Sequence, residues 1–205
     1  MSDDDKLEWI WSTSDEAALI ERYDAWADEY DHDHDKWGWN GPMHALDALL
    51  ERASPRRLLD AGCGTGRVGA ELRARAWAGH LVGVDISMGM LDRAASCGAY
   101  DELMQASLHA IPVENDGVDA VVSTGVFTHG HVNHEAFPEL IRITAPRGLI
   151  VITSRAEVWE ALSPHAAELE TDGAWALVAR TEPQSFHPGR DVDDRAQSVV
   201  VWRVR

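Results

Sequence analysis

Two carboxylates close two short apolar runs, Leu58-Leu59-Asp60 and Leu81-Val82-Gly83-Val84-Asp85, and the first passes at once into Ala61-Gly62-Cys63-Gly64-Thr65-Gly66. Glycines at such a turn let the backbone approach a ligand closely, and a helix beginning near Arg67 aims its free amides at it. Asp85 stands where an acid accepts hydrogen bonds from ribose hydroxyls, so the two strand ends frame a nucleoside-binding cleft. The string Gly64-Thr65-Gly66-Arg67-Val68-Gly69 also satisfies the G-x-G-x-x-G spacing of dinucleotide folds, and glycine spacing alone does not name the ligand. Asp60 helps to decide, because a carboxylate at the turn repels a pyrophosphate and attracts a cationic amine.

A second set of candidates follows the fourth apolar run, Ser123-Thr124-Gly125-Val126-Phe127-Thr128-His129-Gly130-His131. α/β folds place ligands at this sheet edge, which makes His129 the candidate for a general base or a substrate contact. His131 and His134 are weaker candidates. The histidines here, and His32 with His34 among aspartates, lack a cysteine pair or a helical H-E-x-x-H frame, and no metal is expected.

These residues need a scaffold. Strands are predicted near 57–61, 80–84, 102–106, 118–123, 148–153, 174–181 and 198–204, and helices near 67–77, 87–97, 134–144 and 156–168. The alternation means βα units on a largely parallel sheet, with Pro146-Arg147-Gly148 as the turn before the fifth strand. Residues 1–50 lie outside it. Thr13 with Glu16 reads as a capping box, Leu19, Tyr23, Trp26 and Tyr30 recur at helical spacing, and a second helix starts at Pro42. Between them Asp31 to Asn40 reads as a polar loop carrying Trp37 and Trp39. Trp26, Trp37 and Trp39 are expected to hold a substrate ring beneath a helical lid. The expected organisation is one domain over 1–205, with a helical cap over 1–50 and the sheet core over 56–205.

The chain has 205 residues, two cysteines and a formal charge of −17. That field opposes nucleic-acid binding, the cysteines fit a reducing compartment, and no apolar run approaches membrane-spanning length. A cytoplasmic protein without a membrane partner is expected, its oligomeric state unknown.

Leu59-Asp60-Ala61-Gly62-Cys63-Gly64-Thr65-Gly66 with Val84-Asp85-Ile86-Ser87 resembles the first two motifs of class I S-adenosylmethionine-dependent methyltransferases. Tyr23-Asp24 to Tyr30-Asp31 looks like the tyrosine-aspartate segment that opens many small methyltransferase domains. It is similar, less specifically, to the methyltransferase-like protein of the Williams–Beuren region and its bacterial relatives. The resemblance implies a Rossmann-like α/β fold: a seven-stranded, mostly parallel sheet of order 3-2-1-4-5-7-6, its last strand antiparallel and helices on both faces. It implies S-adenosyl-L-methionine as cofactor, S-adenosyl-L-homocysteine as product, and Tyr23, Tyr30, Asp60, Gly62, Gly64, Gly66, Asp85, Ile86 and Met90 as cofactor contacts. Where family members often carry an aspartate for the adenine amino group, this chain has Ser107, whose hydroxyl can accept the same bond; the Leu108 amide can serve the adenine ring.

The expected activity is methyl transfer to an oxygen or nitrogen of a small molecule. Two alternatives stand beside it: a nicotinamide-dependent oxidoreductase, opposed by Asp60 and by the lack of a Ser/Tyr/Lys constellation, and a non-catalytic binder of the cofactor.

Overall fold

The computed structural model describes residues 9–10, 12–13, 15–128, 132–187 and 196–205. Seven strands, β1 (Arg57–Ala61), β2 (His80–Asp85), β3 (Glu102–Gln105), β4 (Val118–Phe127), β5 (Thr144–Arg155), β6 (Trp175–Arg180) and β7 (Gln197–Val204), form one sheet of order β3-β2-β1-β4-β5-β7-β6. Pairs from β3 to β5 are parallel, and β7 runs antiparallel to both β5 and β6. The strand order reverses between β1 and β4, so their carboxyl ends open a crevice.

Alternating residues divide the core between two faces. Leu59, Val82, Val121 and Ile150 pack toward α5 (Phe137–Ile143) and α6 (Ala156–Thr171), through Phe137, Leu140 and Leu162. Leu58, Leu81, Val122 and Val151 pack toward α2 (Gly41–Leu50) and α3 (Arg67–Ala74), through Leu46, Leu49 and Leu72. Trp175 and Trp202 stack 4.5 Å apart, with Phe137 5.1 Å from Trp175. Near the glycine turn, α4 (Met88–Cys97) buries Leu91 and Ala94 beside Cys63.

The N-terminal helix α1 (Glu16–Trp37) differs from the sequence expectation at both ends. Asp15, not Thr13, is the N-cap and accepts from the Ala18 amide at 2.8 Å, while Thr13 Oγ1 accepts from the Asp15 amide. At the other end the helix runs straight through Asp31 to Lys36, where a polar loop was expected. Trp26, Tyr30, His34 and Trp37 fall on one helix face, and burying that face outweighs the polar residues around it. Gly38, in the left-handed region at φ 69°, ends the helix, its amide bonding to the Asp35 carbonyl. α3 ends at Ala74 rather than 77, and Pro146 to Gly148 lies inside β5, where Arg147 at φ 71° accompanies a register shift against β4.

The cap is tied to the sheet through polar contacts at the crevice. Asp24 accepts from Ser87 Oγ at 2.5 Å and from the Gly89 amide at 2.9 Å. Asp31 accepts from Thr65 Oγ1 at 2.7 Å and pairs with Arg67, which also reaches Asp35 at 2.9 Å. Among the described residues no helix is long and apolar enough to cross a membrane.

Candidate active site

A cleft of about 350 Å³ opens where β1, β2 and β4 end and α1 crosses them. Its floor is Gly62, Gly64, Asp85 and Ile86; Met90 and Ala106 to His109 form one end, and Thr124 to Val126 the other. Tyr23 and Tyr30 of α1 close it from above.

Asp85 is the fixed point. One carboxylate oxygen accepts from the Gly64 amide at 2.8 Å and the other from the Ser87 amide at 3.0 Å, so the acid spans the glycine turn and the start of α4. Burial raises its pKa, and the Ser87 and Gly64 amides pull it back. Each oxygen keeps a lone pair for a diol. Gly62 at φ 75° has no room for a side chain, since a methyl there would overlap Val126, whereas Gly64 at φ 52° faces open space. That open space is what a ligand would fill.

Several of the sequence candidates meet here and several do not. Tyr23, Tyr30, Gly62, Gly64, Asp85, Ile86, Met90, Ser107 and Leu108 all line the cleft. Asp60 does not. Strand alternation turns it to the face shared with Leu58, where it is fully buried behind the turn and accepts from Tyr100 at 2.6 Å. Gly66, at φ 96°, likewise sits against Cys97, Ala94 and Tyr100, so its missing side chain serves packing of α4. His129 lies outside the described residues, as does His131. His134 is turned away, its ring stacked on His165 at 3.4 Å.

Ser107 donates to Glu16 Oε2 at 3.2 Å, joining the adenine end expected from the sequence to the first turn of α1. Glu16, His109, Asn133 and Glu135 were not anticipated on the cleft wall. They come from three separate segments, Asn133 and Glu135 sharing one short turn after β4, and only the adjacency of β1 and β4 could have pointed to those two.

Trp26, Trp37 and Trp39 line a smaller neighbouring cavity of about 90 Å³, which shares Tyr23, Tyr30 and Gly125 with the cleft. His34 stacks on Tyr30 at 4.0 Å; its Nδ1 donates to the Tyr30 carbonyl, and burial lowers its pKa to about 4, so the ring is neutral. His187 donates from Nδ1 to the Trp37 carbonyl at 3.0 Å.

The donor set fits a cationic nucleoside. Glu16, Asp85 and Glu135 line the cleft, and neither lysine nor arginine is among its described lining residues. A sulfonium and an ammonium are attracted there, and a pyrophosphate is not.

Comparison with known proteins agrees. Residues 59–152 match the family model of a methyltransferase domain. Methyltransferase-like protein 27 of Homo sapiens is 37% identical over 177 residues, spanning 80% of this chain and 71% of that protein. The malonyl-[acyl-carrier protein] O-methyltransferase of Halorhodospira halophila is 31% identical over 73% of this chain, which spans about half, 51%, of that enzyme. Among solved structures, the N-methyltransferase NodS of Bradyrhizobium japonicum with S-adenosyl-L-homocysteine superposes with a TM-score of 0.61 at 17% identity, covering 80% of this chain and 85% of that one.

Proposed function

The chain belongs to the class I S-adenosylmethionine-dependent methyltransferases, and from that premise we propose that it methylates an oxygen or nitrogen of a small molecule held beside the cleft. The observation that carries this reading is the pairing of Asp85 with the open face of Gly64, inside a cleft lined by Glu16, Asp85 and Glu135 and by no lysine or arginine among its described residues. A nicotinamide dinucleotide would bring its pyrophosphate against those walls.

The cofactor supplies a methyl group on a sulfonium: the acceptor lone pair forms the new bond, the sulfur–carbon bond breaks, and the electron pair stays on a neutral thioether. The protein's work is therefore alignment and exclusion of water. Asp85 holds the ribose, the Gly62–Gly64 turn carries the amino-acid end, Ile86 and Met90 flank the adenine, and Ser107 and the Leu108 amide meet its edge. Tyr23 and Tyr30 cover the reacting end. His129, which follows β4 in sequence, is proposed to take the proton from a hydroxyl or ammonium acceptor.

Calorimetry with S-adenosylmethionine, S-adenosylhomocysteine and reduced nicotinamide dinucleotide tests the binding half. Binding of the first two alone is expected, and binding of the nicotinamide alone would overturn the reading. Transfer of labelled methyl to small acids, phenols and amines tests the catalytic half, and a cofactor-binding chain that methylates none of them would be a binder rather than an enzyme.

A further inference from the structure

Resting on that reading, we infer that Glu16, in the first turn of α1, reads the exocyclic amine of the cofactor's purine, as one half of a pair with Ser107. The two residues are 91 positions apart, and they meet only because α1 crosses the sheet.

The helix follows the cleft along most of its length. Glu16, Leu19, Tyr23 and Tyr30 all line it, and their spacing of three, four and seven residues keeps them on one helix face. Polar contacts to the sheet run in the same order. Asp31 meets Thr65 beside the glycine turn, Asp24 meets Ser87 after β2, and Glu16 meets Ser107 after β3. Of these three, only the last has both partners on the cleft wall. The first two tie α1 down; the third also faces a ligand.

The register of the sheet brings the purine to this wall. Asp85, which holds the ribose, lies opposite Gln105 in the β2–β3 pair, and Ser107 follows two residues later. Ile86 and Met90, with Leu19 of α1, give a ring its apolar walls.

The direction of one hydrogen bond fixes what is recognised. Ser107 commits its single hydroxyl proton to Glu16 Oε2 at 3.2 Å, and Glu16 Oε1 meets no donor among the described residues. The serine oxygen has only a long 3.5 Å contact from the His109 amide. The pair therefore offers acceptors alone. A purine amine brings N–H donors to them, whereas an oxo group at the same ring position would set lone pair against lone pair. Because one half belongs to the sheet and the other to α1, adenine is read only when the helix is seated.

An acid in a first helical turn also favours the helix itself, so the test compares two ligands rather than two stabilities. The full chain is titrated by calorimetry with S-adenosylhomocysteine and with S-inosylhomocysteine, which carries an oxo group in place of the amine. Wild type is expected to prefer the amine by at least about tenfold. Glu16→Gln, which keeps the side-chain length but exchanges a carboxylate oxygen for an amide donor, should narrow that preference to within about threefold. Ser107→Asp introduced into Glu16→Ala returns a carboxylate to the sheet side of the cleft, and should bind S-adenosylhomocysteine several-fold more tightly than Glu16→Ala alone. A wild type without the preference, a preference that survives Glu16→Gln, equal loss of both ligands, or a double variant no tighter than Glu16→Ala would overturn the role of Glu16. Failure of wild type to bind either ligand would instead overturn the functional reading beneath it.

Discussion

Tyr100 donates a 2.6 Å hydrogen bond from its phenol to Asp60, and the same oxygen accepts from the Gly69 amide at 3.3 Å. The glycine turn is thus backed by a buried acid rather than flanked by an exposed one, and the second Asp60 oxygen meets no donor among the described residues. Burial raises the Asp60 pKa to about 7; the Tyr100 bond opposes that rise and the charge of Asp85 adds to it.

Because the folded pKa lies above the unfolded value, the folded chain holds a proton that the unfolded chain releases. Stability from this group is intact below the unfolded pKa, declines as pH rises toward 7, and stays reduced above it. Asp60→Asn should therefore melt higher than wild type at pH 8, by about a few degrees, and close to wild type at pH 4. A pH-independent difference between the two melting curves would contradict the buried-proton account.

Asp85→Ala should weaken S-adenosylmethionine binding by about 1.5–3 kcal/mol, since it removes an acceptor of charged hydrogen bonds while the fold keeps its core. Titration calorimetry on the folded variant checks this. An unchanged affinity would place the ribose elsewhere.

Gly62→Ala and Gly64→Ala separate folding from binding. Both positions have positive φ, but only at Gly62 does the new methyl strike a neighbour. Gly62→Ala should cost about 1–3 kcal/mol of stability, whereas Gly64→Ala should melt nearer wild type and lose cofactor affinity instead. Equal melting temperatures would refute the packing argument at Gly62.

Asp24 holds α1 to the start of α4 through Ser87 and Gly89. If α1 acts as a lid, cofactor binding should slow amide exchange over 15–42. Asp24→Ala should weaken that protection together with affinity, by about 1–2 kcal/mol. Exchange that ignores the cofactor would make α1 static packing.

His129→Gln and His129→Ala should lower turnover by roughly 10²–10⁴-fold with cofactor affinity nearly intact, if this histidine is the base. Near-normal turnover in both variants, across a pH series, would leave alignment as the catalytic device.

The seven strands and the Gly62–Gly64/Asp85 pairing were legible because both are carried by short-range pattern: apolar runs, glycines and the acids that end them; the order of the strands came only from the family resemblance, since local pattern does not say which strands become neighbours. Asp60 misled because a residue's type says what it can bind, while strand alternation decides which way it faces. The continuation of α1 past Tyr30 was hidden by an Asp/His-rich stretch, in which His34 behaves as one more aromatic on the buried face. Glu16, Asn133 and Glu135 reach the cleft only through tertiary packing, and nothing local marks them.

Arg155 lies opposite Gln197 across the antiparallel β5–β7 pair, and both side chains line the small cavity. A strand's side chains alternate between faces, so sliding β7 by one residue would withdraw Gln197 and present its buried neighbour Ser198 instead. None of the β5–β7 pairing touches the glycine turn or Asp85. The side chains that face the small cavity can therefore change through the register and edge residues of the β5–β7 pair, while the glycine turn and Asp85 keep their places.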